Sequence, residues 1–379
     1  MKSNKKYERY ERQILLKEFG VAAQEKLLQA KVLVAGAGGL GCPVLQYLVA
    51  VGIGTIGIVD DDIVVLNNLH RQVLYNINDV GLSKAKVAAE RLKVMNDEID
   101  VVAYNLRLTA KNTLPIINGY DFIIDGTDNF STRYMINDAC VLLNKPLVYG
   151  AISKFEGQVA VLNIKNEEHE RALNYRDLFP EPPKDDEVLN CADAGVLGVL
   201  PGIIGTMMAN ETIKLITGIG KPLINTILTY NALDNSSYEF NLSMNDGAQD
   251  LIPKDSAAFL ETDYEWLCSS ETNNAFEIDT TTFDDLIEDD NTIVIDVREK
   301  DEQPVVDEFK HIQIPLSGLM NYKLTVEKNN VVIFCQTGQR SLNAAKLLYD
   351  AYGNSKQIYS LKGGIVEWKK KYAFQADEK

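Results

Sequence analysis

Short apolar runs alternate with helical stretches over the first 150 residues of the chain. The run Val32-Leu33-Val34-Ala35 is apolar at every position, as is typical of a strand that a parallel sheet buries on both faces. The alternation of such strands with helices predicts an α/β fold with a Rossmann-like, doubly wound and mostly parallel sheet. The predicted strands are 32–35, 55–59, 121–125 and 146–149. One predicted helix follows the first strand and ends at Ala50, and two others span 83–96 and 131–143.

The pattern changes in the second half of the chain. Residues 181–187 are acidic and carry two prolines, which favours a loop. Residues 246–276 are polar and acidic, with Lys254 as their only base, and we interpret them as a linker between domains 1–245 and 277–379. A helix rich in small and apolar residues is predicted at 203–217, before the linker. In the second domain, a smaller α/β fold is predicted from strands at 292–296 and 331–334 and helices at 341–352 and 366–371.

Composition narrows the classes of partner and compartment. The chain has 379 residues, and its 54 acidic against 38 basic residues give a net charge of −16. Such a chain is a poor general binder of nucleic acid or of an anionic membrane. No apolar run approaches the length of about 18 residues that a transmembrane helix needs, and the charged N-terminal residues do not resemble a signal peptide.

The cysteines argue against a disulfide framework. They are scattered and include no C-x-x-C pair, so we expect a protein of the reducing cytoplasm. The five are Cys42, Cys140, Cys191, Cys268 and Cys335.

A glycine-rich loop follows the first strand. Gly36, Gly38 and Gly41 form a G-x-G-x-x-G pattern between a strand and a helix, where backbone N–H groups and the helix N-terminus attract phosphate. Asp60 ends the next strand, 24 residues after Gly36, in position to accept hydrogen bonds from a ribose. This pattern alone fits NAD, FAD or ATP, so an NAD-dependent oxidoreductase stays open at this point.

Further polar groups favour ATP. The motifs contain more cationic side chains than binding of a diphosphate linkage needs. Their number suits a triphosphate from which pyrophosphate departs. Asp128 supplies a hard oxygen ligand suited to Mg²⁺. The candidate binding residues besides the loop are Arg12, Asn67, Asn68, Arg71, Lys84, Asp128 and Asn129.

In combination these motifs resemble the MoeB/ThiF family, which includes the molybdopterin-synthase sulfurylase and the adenylation half of ubiquitin-activating enzymes. The resemblance covers roughly residues 7 to 240. The motifs that carry it are Arg9-Tyr10-x-Arg12-Gln13, the 36–41 loop, Asn68-Leu69-x-Arg71-Gln72, Lys84 and Thr127-Asp128-Asn129.

The resemblance implies where a nucleotide would bind. ATP would place its phosphates over Gly38 and its ribose on Asp60, with Mg²⁺ on Asp128 and Asn129 beside the nucleotide. The residues implied to hold the triphosphate are Asn68, Arg71 and Lys84.

The resemblance also implies the substrate and the assembly. The C-terminal glycine carboxylate of a small ubiquitin-like sulfur carrier, ending in Gly-Gly, would attack the α-phosphate and form an acyl-adenylate. Arg12 would reach the phosphates of a neighbouring subunit, which implies a homodimer. Cys191 matches the position of a family cysteine that can attack the acyl-adenylate, although a buried small hydrophobe is an equally good interpretation.

One departure from the family concerns zinc. Many relatives hold a structural zinc with two C-x-x-C pairs. Where the first pair would fall, this chain has Asn174-Tyr175-Arg176-Asp177, and only Cys268 lies near the second. We therefore expect no zinc.

A second chemical motif lies in the C-terminal domain. Cys335 follows an apolar strand, and Arg340 follows it at the start of a helix, so backbone N–H groups, the helix N-terminus and a guanidinium favour the thiolate. Together with Asp296-Val297-Arg298 this region, over roughly 277 to 373, looks like a rhodanese domain. Related phosphatases place five residues between Cys and Arg; the four here favour a persulfide over a phosphate.

The two sites suggest a joint function. The first domain would activate the carrier as an adenylate, and a persulfide on Cys335 would convert it to a thiocarboxylate, because a carboxylate oxygen is otherwise a poor leaving group. The sulfur donor, thiosulfate or a cysteine desulfurase, stays open, as does the molybdopterin, thiamine or related pathway. The alternatives are an oxidoreductase and a non-catalytic scaffold that binds ubiquitin-like proteins.

Overall fold

The computed structural model of the protein describes most of the chain and divides it into two compact units. The units are Met1–Cys268 and Ser269–Lys379. The described residues are 5–165, 171–180, 195–245, 247–264, 277–300, 302–321, 328–352 and 356–376.

An eight-stranded sheet forms the centre of the first unit. Its strands are β1 (Lys31–Ala35), β2 (Thr55–Val59), β3 (Asp100–Tyr104), β4 (Phe122–Asp125), β5 (Leu147–Ser153), β6 (Glu156–Leu162), β7 (Thr226–Asn231) and β8 (Ser236–Asn241). Their order is β3-β2-β1-β4-β5-β6-β7-β8. The first five strands are parallel, and the last three continue the sheet in antiparallel pairs. The predicted α/β class is confirmed.

Helices cover this sheet on both faces. Val32 and Val34 point into one apolar core, and Leu33 and Ala35 point into another, as the alternation of side chains along a strand requires. The first strand is therefore buried on both faces, as its apolar run predicted. The helices are α1 (Glu11–Ile14), α2 (Gly20–Gln29), α3 (Gly41–Ala50), α4 (Lys84–Met95), α5 (Ala110–Asn118), α6 (Phe130–Leu142), α7 (Tyr175–Leu178), α8 (Leu200–Thr217) and α9 (Ser256–Glu261).

The expected linker differs from the structure. Between residues 247 and 264, apolar side chains fold back on the first unit: Phe259 of α9 is fully buried, and Tyr264 donates a hydrogen bond to Asp138 over 3.0 Å. Asp255 caps α9 by accepting from the backbone N–H of Ala258. The buried apolar side chains therefore hold this stretch against the first unit in spite of its acidic composition. The boundary between the two units lies at 268/269.

The second unit is built on a five-stranded, wholly parallel sheet. Its strands are β9 (Glu277–Ile278), β10 (Thr292–Asp296), β11 (Ile312–Gln313), β12 (Asn330–Phe334) and β13 (Gln357–Leu361), and its α-helices are α10 (Thr280–Ile287), α11 (Gln339–Tyr352) and α12 (Gly364–Ala376). The order β11-β10-β12-β13-β9 places β12 at the centre. Cys335 therefore leaves the central strand at its carboxyl end, where parallel sheets present their sites.

Among the described residues, no helix has both the length and the apolar character that crossing a bilayer would require.

Candidate active sites

A cavity of about 590 Å³ opens at the carboxyl ends of β1, β2 and β4 and continues along β5 and β6. Its wall brings together candidates that the sequence spreads over nearly 100 positions. The predicted nucleotide-binding residues that line it are Gly36, Gly38, Asp60, Arg71, Lys84, Asp128 and Asn129.

The three glycines of the loop play different roles. Gly36 has a φ of +91°, and a Cβ atom there would lie 2.8 Å from the carbonyl oxygen of Gly126. Gly41 does not line the cavity. A Cβ atom on Gly41 would lie 1.9 Å from the carbonyl oxygen of Gly36, so only a residue without a side chain lets α3 begin this close to the loop. Gly38 faces the cavity beside Gln72. Of these three glycines, Gly38 is therefore the one that both lines the cavity and has no neighbouring main-chain group against the Cβ position.

The carboxylate of Asp60 is fixed by two backbone groups. One oxygen accepts from the N–H of Ala37 over 2.7 Å, and the other accepts from the N–H of Asp62 over 2.9 Å. Burial raises the pKa of Asp60 above that of an ordinary aspartate, because desolvation disfavours the charged form. Each oxygen keeps a lone pair for a hydroxyl donor, as recognition of a ribose needs.

Lys84 and Arg71 supply positive charge to the cavity. Lys84 begins α4, which Ser83 caps, and its ammonium lies 2.8 Å from the carboxylate of Asp62. The guanidinium of Arg71 donates to the carbonyl of Asn67 over 3.1 Å. Both cations belong to rigid local structure, so they need little reorganisation to meet phosphate oxygens.

Asn67, Asn68 and Arg12 do not line the cavity. The amide oxygen of Asn68 accepts from Gln72 over 3.1 Å, and the carbonyl of Asn67 accepts from Arg71. Both asparagines therefore contact residues that line the cavity. Arg12 is exposed on α1. Its action on a neighbouring subunit stays a prediction.

Sequence reasoning missed Arg133. This residue lies in the cavity wall with 8% of its surface exposed, donates to the carbonyl of Thr127 over 2.9 Å, and stacks near the ring of Tyr149. Its Nε lies 3.6 Å from Asp125, yet this Nε and the nearer carboxylate oxygen have no hydrogen-bond partner. The sequence places Arg133 one helical turn after Asp128 and Asn129, which could have indicated that it lies near the site. That its charge is buried is visible only in the folded structure.

A chain of hydroxyl groups reaches the thiol of Cys335, which is fully buried. The hydroxyl of Ser360 donates to Ser341 over 2.9 Å. Ser341 Oγ lies 3.6 Å from Cys335 Sγ and 2.9 Å from the carbonyl of Gly338. Gly338 has a φ of +92°, which bends the loop tightly around the sulfur.

Two arginines flank this loop, and both are paired. Arg340 makes a two-pronged ion pair with Glu302, and Arg298 makes one with Asp296. Cys335 and Arg340 begin and end the 335–340 loop, and their roles stay predictions. Cys191 lies outside the described residues.

Comparison with protein families agrees with this geometry. Residues 10–250 match the model of the ThiF family, and residues 279–371 match that of the rhodanese-like domain. The chain belongs to the ThiF family. The predicted family is confirmed, and this member carries a rhodanese-like domain after its ThiF domain.

Relatives of this ThiF-family chain match either about two thirds of it or nearly its whole length. It is 51% identical over 238 residues to a sulfur carrier protein adenylyltransferase of Thermus thermophilus, covering 63% of this chain and 88% of that protein. It is 39% identical to a probable adenylyltransferase/sulfurtransferase MoeZ of Mycobacterium tuberculosis, covering 97% of this chain and 94% of that protein. The crystal structure of PaaA matches with a TM-score of 0.53 and 26% identity, covering 63% of this chain and 74% of PaaA.

Proposed function

We propose that this protein adenylates the C-terminal carboxylate of a small sulfur-carrier protein and then converts it to a thiocarboxylate. The proposal depends above all on one observation: a cavity lined by a glycine-rich loop, Lys84 and Arg71 occurs in the same chain as the Cys335 loop. The names of the relatives support both the adenylation and the sulfur transfer: one is a sulfur carrier protein adenylyltransferase and the other a probable adenylyltransferase/sulfurtransferase.

In the first step the protein positions ATP and neutralises charge. The backbone at Gly38 meets the phosphates, Asp60 meets the ribose, and Lys84 and Arg71 stabilise the charge that grows on the departing pyrophosphate. The carrier's carboxylate oxygen bonds to the α-phosphorus as the bond to pyrophosphate breaks. No side chain needs to form a covalent bond here.

Mg²⁺ fits this arrangement. Among the described residues no cluster of three metal-ligating side chains occurs, but Asp128 lines the cavity as an exposed carboxylate. Mg²⁺ in nucleotide sites is usually held by one or two carboxylates together with phosphate oxygens and water. Asp128 would hold it, and the ion would supply charge neutralisation on the triphosphate.

The carrier and the dimer belong to the same proposal. The cavity continues from the nucleotide region along Ser153, Glu156 and Gln158 of β5 and β6, which offers an extended path to a flexible C-terminal tail ending in Gly-Gly. Arg12, exposed and outside this cavity, is free to serve the site of a second copy in a homodimer.

In the second step a persulfide on Cys335 attacks the acyl carbon. The terminal sulfur bonds to that carbon, and AMP leaves with the electrons of the carbon–oxygen bond. An external thiol then attacks Cys335 Sγ, which breaks the sulfur–sulfur bond, releases the thiocarboxylate and leaves a disulfide between that thiol and Cys335. A second equivalent of the thiol reduces this disulfide, so the external thiols leave as their own disulfide and the Cys335 thiolate is free again. The sulfur donor, a cysteine desulfurase or thiosulfate, loads Cys335 again for the next cycle.

Exchange of labelled pyrophosphate into ATP tests the first step, with molybdopterin- and thiamine-type carriers supplied in turn. We expect exchange that depends on a carrier with an intact C-terminal Gly-Gly. Cys335→Ala should keep this exchange and lose thiocarboxylate formation. Absence of exchange with every carrier would refute adenylation, and unchanged thiocarboxylate formation in the variant would refute the persulfide on Cys335.

A further inference from the structure

Both arginines beside the Cys335 loop are already held by carboxylates. The two terminal nitrogens of Arg340 each donate to one oxygen of Glu302 over 2.5 Å. The guanidinium of Arg298 donates to Asp296 over 2.7 Å and 2.9 Å, and both of these side chains are buried. Two carboxylates therefore offset two guanidinium groups next to the reacting sulfur.

The pair formed by Arg340 and Glu302 uses the part of the arginine that would bind an oxyanion. A guanidinium recognises a planar or tetrahedral oxyanion through two parallel N–H donors, and here both donors point at Glu302. The backbone N–H of Glu299 also donates to Glu302, over 2.8 Å. The hydrogen bond from Arg340 lowers the pKa of Glu302, so the carboxylate is ionised at neutral pH.

We propose that Glu302 determines the specificity of the sulfur site: by occupying Arg340 it excludes dianionic donors such as thiosulfate and selects a persulfide. The inference rests on the proposed sulfur transfer. A persulfide carries its transferable sulfur on a thiol and presents at most one negative charge there, so it needs no guanidinium fork. Thiosulfate brings a sulfonate that would meet the carboxylate of Glu302 at short range.

The two donors react by the same displacement. The thiolate of Cys335 attacks the outer sulfur, a new sulfur–sulfur bond forms, and the donor's own sulfur–sulfur bond breaks. With a persulfide, the leaving group is a thiolate that takes the bonding electron pair. With thiosulfate it is sulfite, which leaves with two charges and therefore depends more on a free cation.

The test compares the full-length protein with Glu302→Gln, which keeps an acceptor for Arg340 but removes the charge. Loading of sulfur on Cys335 is followed by intact mass with thiosulfate or cysteine persulfide as donor. We expect kcat/KM for thiosulfate to rise about tenfold or more in the variant, mainly through a lower KM, as removal of one close repulsive charge predicts. For cysteine persulfide the change should stay within about twofold.

Glu299→Gln is the matched control, because it removes the same charge from an exposed neighbour that does not contact Arg340. It should leave both donors unchanged. A thiosulfate rate that stays constant or falls in folded Glu302→Gln would overturn the inference, as would equal use of both donors by the unchanged protein. If neither donor loads Cys335, the proposed sulfur transfer itself fails. A persulfide-loaded cysteine desulfurase is tested in parallel as a third sulfur donor. Comparing its rate of loading Cys335 with that of free cysteine persulfide shows whether a protein or a small molecule is the better persulfide donor.

Discussion

The ammonium of Lys84 lies 2.8 Å from the carboxylate of Asp62, although only 6% of the lysine side chain is exposed against 69% of the aspartate side chain. The buried partner is the fixed one, and the exposed partner is free to rotate into water. Asp62 therefore offsets the charge of Lys84 and can yield it to phosphate oxygens without leaving a buried carboxylate unpaired.

Lys84→Met should lower ATP–pyrophosphate exchange about 100-fold or more, as the loss of one preorganised stabilising charge does in other sites. Lys86→Met is the control: it lies on the same helix and is exposed, so it should retain exchange within about twofold. Equal losses in the two variants would show that the general positive charge of α4 matters and that the position of Lys84 does not.

Gly38→Ala should separate binding from folding. A Cβ at this position would lie 3.6 Å from the side chain of Gln72, which is ordinary contact, so the thermal midpoint should stay within about 2 °C. The methyl group would hold phosphates off the loop, and ATP affinity measured by calorimetry should fall about 10- to 100-fold. Gly202→Ala, which meets no atom within 4 Å, should change neither quantity.

The sequence predicted those features that depend on local pattern. The apolar run 32–35 predicted a strand buried on both faces. The glycine loop predicted a nucleotide site at the end of that strand, and the structure has a cavity there. Charges that only tertiary structure brings together were not predictable: Arg133 meets Asp125 across a turn, and Glu302 meets Arg340 across 38 positions. The linker prediction followed average composition and missed the contribution of single apolar residues such as Phe259.

Asp60 should make ATP binding weaken in mild acid. Burial raises the pKa of this carboxyl, so in the free protein it takes up a proton at a higher pH than an exposed aspartate does. The proton removes an acceptor for the ribose, so ATP affinity should begin to fall at a higher pH than the titration of an exposed aspartate would cause. Asp60→Asn should bind ATP more weakly at pH 7, and its affinity should depend less on pH. The titration of the nucleotide itself affects both proteins equally. Parallel profiles of affinity against pH would therefore contradict this role of Asp60.

Arg176 should stabilise the first unit through its buried ion pair with Asp138. It donates to both carboxylate oxygens of Asp138 over 2.8 Å and 2.7 Å, and both side chains are buried. Arg176→Met would leave the buried charge of Asp138 without its cation, with only neutral donors such as Tyr264 beside it. The loss should cost about 3–5 kcal/mol, measured by urea titration with hydrogen exchange of residues 130–142.

The exposed pair between Arg9 and Asp97 is the matched comparison, and Arg9→Met should cost under about 1 kcal/mol. A chelator should leave the unfolding midpoint of the unchanged protein where it is. A midpoint that falls with chelator would show that a metal ion shares the stabilising role that we assign to Arg176 and Asp138.

Ser341 should act on the sulfur through its hydroxyl. It receives a hydrogen bond from Ser360, and its oxygen lies 3.6 Å from Cys335 Sγ, so its proton can turn from the carbonyl of Gly338 towards a thiolate or persulfide. Ser341→Ala removes this donor and should slow alkylation of Cys335 by iodoacetamide at neutral pH by about tenfold, since one hydrogen bond to a charged group contributes about 1.5–3 kcal/mol. Ser341→Thr should restore most of the rate. Ser360→Ala leaves Ser341 in place and should have a smaller effect; if it slows alkylation as much as Ser341→Ala does, the two hydroxyls act only by packing the loop.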